Sequence, residues 1–236
     1  MHPSRAGLTD LAARAAAGRF EPLGGAHAYS REAAKGFRRS GVLLLFTPTA
    51  SPGSGADSNS GQGLDLFLVQ RSPLLRHHPG QIALPGGRLE PGEDAVAAAV
   101  REAHEETGIS PDQVEVLGPI PPVLVPLSEF VVTPVLAWSE TAHAGDEVEP
   151  GEVLHTLRVP VAELLDPAAR ATVRMGGFDS HGFRRPTGWV WGFTGNLLDH
   201  VFDQLGWALP WDRGTVYRMG WDEARGAGLL PDAGEA

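Results

Sequence analysis

The sequence predicts an α/β fold, a sandwich built on a mixed β-sheet. Two observations carry that expectation. Apolar runs of strand length recur along the chain, and two helical segments, Asp94 to Thr107 and Gly195 to Leu205, stand far apart among them.

Taken in order, the opening MHPSRAGLTDLAARAAAGRF reads as an amphipathic helix and lacks the apolar stretch of a secretory signal. Gly41–Thr47 (GVLLLFT) and Leu64–Gln70 (LDLFLVQ) are strands. The Ser-, Gly-, Ala- and Pro-rich stretch between them makes a hairpin with a long tip. Arg71 to Gly87 is a loop rich in Arg, His, Pro and Gly, and the first long helix follows it. Val114–Leu117 is a short strand, and Pro122–Trp138 holds strand-like stretches broken at Pro126 and Pro134. Ala142–Gly151 is an acidic loop, Leu154–Val159 a strand, and Val161–Asp166 begins a helix. Arg174–Val190, with its paired glycines, reads as a hairpin. The Gly195–Leu205 segment sets Leu197, Leu198, Val201, Phe202 and Leu205 on one face. Beyond Gly206 an amphipathic helix packing on the core is expected.

The chain has 236 residues, no cysteine and a net charge of −10. Disulfides, thiolate zinc sites and a cysteine nucleophile are thereby excluded. No apolar run has the length of a membrane span, so a soluble, cytoplasmic protein without a membrane partner is expected. Nucleic acid is an unsuitable partner, because it needs a basic footprint. A phosphorylated small molecule would also be repelled, unless bound cations and a few arginines offset the field locally.

The segment Gly87 to Ile109, GRLEPGEDAVAAAVREAHEETGI, concentrates the chemistry. Pro91-Gly92 opens its helix and Gly108 closes it. On that helix Glu102, Glu105 and Glu106 lie at i, i+3 and i+4 and share a face. Like charges so spaced cost about 0.2–0.5 kcal/mol per pair, at the helix end where cations are favoured. A solvated acidic face would explain an arbitrary triplet. It does not explain the fixed frame of Gly87, Glu93, Arg101, Glu102, Glu105, Glu106 and Gly108, whose chance frequency is on the order of 10⁻⁸ to 10⁻⁹ per register.

That frame resembles the signature box of the Nudix hydrolases, with Ala103 where the box usually has a bulkier aliphatic residue. The resemblance implies a Nudix-type α/β/α sandwich with a mixed sheet and a catalytic loop-helix-loop. It implies one domain over residues 1–236, with a core at about 38–205, an N-terminal helix and a C-terminal extension. It further implies hydrolysis of a nucleoside diphosphate derivative with Mg²⁺ or Mn²⁺. Glu102 and Glu106 would be the principal metal ligands, together with the Gly86 carbonyl. Glu105 would be a ligand or the base that orients water. Arg101 would pair with a glutamate of the box, Glu93 being the leading candidate. A further base or ligand would come from a distant loop, for which Glu147, Glu149 and Glu152 are candidates.

Upstream, Arg71-Ser72, Arg76 and Gly80 precede Leu84-Pro85-Gly86-Gly87 at spacings similar to the extra motif of the coenzyme A pyrophosphatase branch. Val69 and Leu84 depart from it, where Thr and Phe are usual. Trp191-Gly192-Phe193-Thr194 before a helix is also similar to that branch. Arg71 and Arg76 could offer bidentate contacts to the phosphates of coenzyme A, although either could instead be a surface residue or pair with a core carboxylate. His77 and His78 lack the spacing of a zinc site and read as loop residues, and His104 as solvent-facing. Trp207, Trp211 and Trp221 read as packing residues.

The resemblance thus points to a coenzyme A diphosphatase acting as a monomer or homodimer. An enzyme for ADP-ribose, NADH or dinucleoside polyphosphates is the nearest alternative. A non-catalytic nucleotide-sensing module disagrees with three intact glutamates.

Overall fold

The computed structural model of the protein describes residues 3–49, 61–145, 151–227 and 229. Helix α1 (Pro3–Ala16) leads into β1 (Arg38–Pro48) and β2 (Leu64–Arg71), which pair antiparallel as the expected hairpin. The loop after β2 carries β3 (Ile82–Ala83) and β4 (Gly86–Arg88), and α2 (Ala95–Thr107) follows. Then come β5 (Glu115–Pro119), β6 (Val123–Val125), β7 (Phe130–Trp138), β8 (Val153–Pro160) and the short α3 (Val161–Leu165). The last part of the chain forms β9 (Arg170–Met175), β10 (Phe178–Arg185), β11 (Gly188–Val190), α4 (Gly192–Gln204), β12 (Val216–Arg218) and α5 (Trp221–Ala224).

The main sheet runs β3-β2-β1-β7-β5, with β4 on β1, β6 on β7 and β8 on β2. It is mixed, because β1 lies parallel to β7 from Arg38↔Phe130 to Phe46↔Trp138 and antiparallel to β2 and β4. The two-residue alternation of a strand decides what covers each face. Leu44 and Phe46 of β1 pack with Leu8 and Leu11 of α1 and with Leu197, Leu198, Val201 and Phe202 of α4. Leu43 and Leu45 pack on the opposite face with Ala99 and Ala103 of α2. Each of these fully buried leucines contributes about 1.5–3 kcal/mol relative to exposure. The result is the α/β/α sandwich, and Ala103 faces the core as its position in the helix requires.

Close approach of α2 to the sheet depends on Gly41. A Cβ there would stand 2.1 Å from the Ala95 carbonyl oxygen and 3.0 Å from the Ala99 nitrogen. Small residues on both partners bring the helix down onto β1, and this depth sets where its glutamates end up.

The chain also departs from its sequence-based expectation. Arg174–Val190 is more than a hairpin: β11, β10, β9 and β12 form a separate four-stranded sheet. Helix α4 starts at Gly192 rather than Gly195, because Ser180 Oγ accepts the Gly192 N–H and Asn196 Oδ1 accepts the His181 N–H, tying the helix start to β10. The segment after Gly206 is not one amphipathic helix. Pro210, Gly214 and Gly220 interrupt it, leaving β12 parallel to β9 and four residues of α5. Trp207 is buried, but Trp221 is 61% exposed and is no packing residue of the core. Among the described residues no helix is long and apolar enough to cross a membrane.

One buried charge went unanticipated. Asp199, on the apolar face of α4, pairs with Arg170, lies 2.6 Å from His181 Nδ1 and 3.5 Å from Arg213 Nη2. Arg213 Nη1 stands 2.6 Å from His181 Nε2, which assigns the proton to Nδ1. Burial alone would raise the Asp199 pKa, but the bonds from His181 and Arg170 outweigh it and hold the carboxyl well below the usual carboxylate range.

Candidate active site

The site forms where β4 passes under α2. Asp94 caps the helix, its Oδ1 accepting the N–H groups of Val96 and Ala97, and Gly108 ends it in the left-handed conformation at φ 68°. Capped at both ends, the helix presents Glu102, Glu105 and Glu106 in three environments. Glu106 is buried, Glu102 half-buried and Glu105 exposed.

Arg101 organises the upper part. Its Nε and Nη2 each donate to a carboxylate oxygen of Glu93 at 3.0 Å, a bidentate pair. Nη2 also donates to the Arg88 carbonyl at 3.0 Å. Nη1 donates to Glu105 at 2.9 Å and stands 3.1 Å from Glu102 Oε1. One guanidinium therefore holds the loop, through Glu93 and Arg88, against two of the three helix glutamates. The Arg101 hydrogen bond, helped by the Glu90 N–H, lowers the Glu93 pKa, and the same pair raises that of Arg101.

Deeper in, Glu106 is 3% exposed. Its Oε2 accepts the Gly86 N–H at 2.9 Å, and Oε1 faces Arg71 Nη1 at 3.6 Å. Burial is the largest influence on this carboxyl and, with the like charges of Glu102 and Glu152, pushes its pKa up to about 7 against the pull of Gly86 and Arg71. Glu102 is likewise raised, first by burial and then by Glu105 and Glu152. Glycine at position 87 is what admits Glu102. A Cβ there would meet the Glu102 carboxyl at 2.2–2.4 Å. The carboxyl groups of Glu102 and Glu106 are thus laid against consecutive residues of β4.

Of the three distant candidates only Glu152 is among the described residues, and its charge reaches Glu102 and Glu106. Its carbonyl accepts the Ser72 N–H at 2.8 Å, next to Arg71. Glu147 and Glu149 lie outside the described residues.

The upstream motif forms a closed loop. Ser72 is buried at its base, where its carbonyl accepts the N–H groups of Leu75 and Gly80. Gln70, 1% exposed, donates from Nε2 to the carbonyls of Gly80 and Thr187 and so ties the loop to the second sheet. Sequence reasoning passed over Gln70, whose only signal was a polar residue at the end of an apolar strand. Arg76, His77 and His78 are exposed along the loop, whereas Arg71 is partly buried at its base beside Glu106. A cavity of about 180 Å³ adjoins the loop, lined by Gln81, Thr187, Trp189, Trp191, Met219 and Glu223 among others.

Among the described residues no three acids or histidines are already gathered around one point to hold a metal ion. Glu102 and Glu105 are turned instead to Arg101. The donors nevertheless suit a hard divalent cation. They are carboxylate oxygens, with no histidine or thiolate beside them, and the charge of Glu102 adds to burial in raising the Glu106 pKa at one short strand. Glu102 and Glu106 would hold such an ion, and Glu105 and Glu152 stand close enough in charge to join them.

A family model described as the NUDIX domain matches residues 57–176, about half of the chain. The chain is 32% identical over 184 residues to the uncharacterized Nudix hydrolase NudL of Citrobacter koseri, covering 72% of this chain and 83% of that protein. It is 30% identical over 159 residues to Nudix hydrolase 3 of Caenorhabditis elegans, covering 59% of this chain and 66% of that one. Among solved structures, a Nudix hydrolase from M. smegmatis, RenU, aligns with a TM-score of 0.40 at 23% identity, over 54% of this chain and 73% of that one.

Proposed function

This chain belongs to the NUDIX domain family, and from that premise we propose that it hydrolyses the diphosphate of coenzyme A to 3′,5′-ADP and 4′-phosphopantetheine. A Nudix hydrolase acts on a diphosphate bond of a small nucleotide derivative, and the proposal concerns which one. The observation that carries it is the placement of Arg71, from the loop resembling the coenzyme A branch, directly beside the buried Glu106 of the box.

Glu102 and Glu106, with the Gly86 carbonyl, would hold Mg²⁺ or Mn²⁺. The bound cation supplies neutralisation of the diphosphate oxygens and a lowered pKa for water. Glu105, the most exposed of the three glutamates, accepts the proton of the attacking water once it leaves Arg101, and Glu152 is the alternative acceptor. Arg101 and Glu93 keep the loop and helix in register. Arg71 and Arg76 contact phosphate, Arg71 at the reacting diphosphate and Arg76 at the more distant 3′-phosphate. The cavity lined by Trp189, Trp191 and Met219 suits the uncharged pantetheine arm, because Glu223, which also lines it, repels phosphate. The whole chain acts as one Nudix domain in the cytoplasm, as a monomer or homodimer.

Turnover of coenzyme A should be compared with dephospho-coenzyme A, ADP-ribose, NADH and diadenosine polyphosphates, each with Mg²⁺, Mn²⁺ and chelator, resolving products by chromatography. Metal-dependent release of 3′,5′-ADP with coenzyme A preferred is the expected result. Preference for another diphosphate would retain the hydrolase and discard the substrate.

A further inference from the structure

We infer that Arg71 is a resident counter-ion of Glu106 that occupies the side of this carboxylate a divalent cation would take and gives it up when a diphosphate arrives. The inference rests on Glu106 being a cation ligand.

Three features of the contact fit a charge that can be given up. The first is its length. Arg71 Nη1 stands 3.6 Å from Glu106 Oε1, beyond hydrogen-bond range, whereas Arg101 grips Glu93 by two bonds of 3.0 Å. The second is an unused donor: Arg71 Nε is buried and has no acceptor among the described residues. That buried N–H is costly until an acceptor reaches it, a state it shares with Nε and Nη1 of Arg170. The third is the backbone. The pairing of β2 with β8 slips between Gln70 and Arg71, so that Arg71 stands opposite Val153, next to Glu152. Such bulges recur beside active sites, where they re-aim a side chain.

The two oxygens of Glu106 are therefore differently engaged. Oε2 is fixed by the Gly86 amide at 2.9 Å, and Oε1 is held only by a loose, exchangeable charge. A cation arriving at Oε1 meets the positive charge of Arg71, so binding of the cation alone is opposed. A diphosphate entering with the cation offers Arg71 new acceptors for Nη1 and for the idle Nε. Cation and diphosphate then assist one another, and by linkage the assistance is mutual.

The test is cation binding without any substrate. Mn²⁺ is titrated against the full-length wild type and the Arg71→Met, Arg71→Gln, Arg71→Lys and Glu106→Gln variants, following free Mn²⁺ by electron paramagnetic resonance and folding by near-ultraviolet circular dichroism. Removing the competing charge should tighten Mn²⁺ binding by about tenfold in the Met and Gln variants. Lys should stay within about threefold of wild type, because it keeps the charge. Unchanged or weaker Mn²⁺ binding in whichever of the two neutral variants folds would overturn the inference. Glu106→Gln separates the two readings. If it binds Mn²⁺ as wild type does, Glu106 is no ligand and the underlying site assignment fails. If it loses Mn²⁺ while the neutral Arg71 variants bind as wild type does, only the role of Arg71 fails.

Discussion

Arg101 and Glu93 are joined by two hydrogen bonds of 3.0 Å, and the same guanidinium reaches Glu105 at 2.9 Å and the Arg88 carbonyl at 3.0 Å. The pair fastens the glycine loop to the helix that carries the acids, and only a planar fork can serve all these acceptors at once. Arg101→Lys should therefore weaken Mn²⁺ binding and turnover by about 10–100-fold, the range for residues that orient metal ligands. Unchanged helix content by circular dichroism with steady-state rates at the wild-type level would contradict this role.

Gly87→Ala tests the site without burdening the fold. The added methyl would lie 2.2 Å from the Glu102 carboxyl carbon, the movable end of a side chain. The carboxylate must swing away, so Mn²⁺ affinity should fall by about tenfold while the midpoint of thermal unfolding hardly moves. A large loss of thermal stability with intact Mn²⁺ binding would show that the glycine serves the backbone instead.

Glu106 gives a pH signature. Its pKa is raised from 4.5 to about 7, so between these values the folded chain holds a proton that the unfolded chain has released. The sign follows: stability is full below pH 4.5 and declines as pH rises through 7, by up to about 3 kcal/mol. With chelator present, denaturant unfolding at pH 5 and pH 8 should show that decline in wild type and a smaller one in Glu106→Gln. Equal declines in the two proteins would place the titration elsewhere. Turnover of Glu106→Gln should drop about a thousandfold or more, as expected when a metal ligand is lost.

Asp199 predicts a purely structural defect. Asp199→Asn leaves Arg170 buried without its counter-charge, which costs about 3–5 kcal/mol. Its carboxyl pKa is depressed, so the stability it contributes is present above the ordinary Asp pKa of 3.8 and is lost as pH falls below it. The variant should unfold at lower denaturant at neutral pH, with turnover per folded molecule unchanged. A matching loss of turnover in fully folded protein would place the cluster in catalysis.

By itself, the sequence determined the first hairpin, the helix after it and the residue types of the candidate site. The apolar runs GVLLLFT and LDLFLVQ, the Gly108 terminus and the i, i+3, i+4 spacing of three glutamates are local matters, governed by periodicity and backbone geometry within a few residues. Tertiary structure alone decided how differently those glutamates live. Glu106 is buried and Glu105 exposed because Gly41 lets the helix sink onto β1, a contact between residues more than fifty positions apart. The same holds for Arg71 beside Glu106, for the charge of Glu152 felt by Glu106, and for the second sheet that turns a supposed hairpin and C-terminal helix into β9 to β12. Charge environment and long-range pairing depend on what packs across the chain, and no local pattern encodes them.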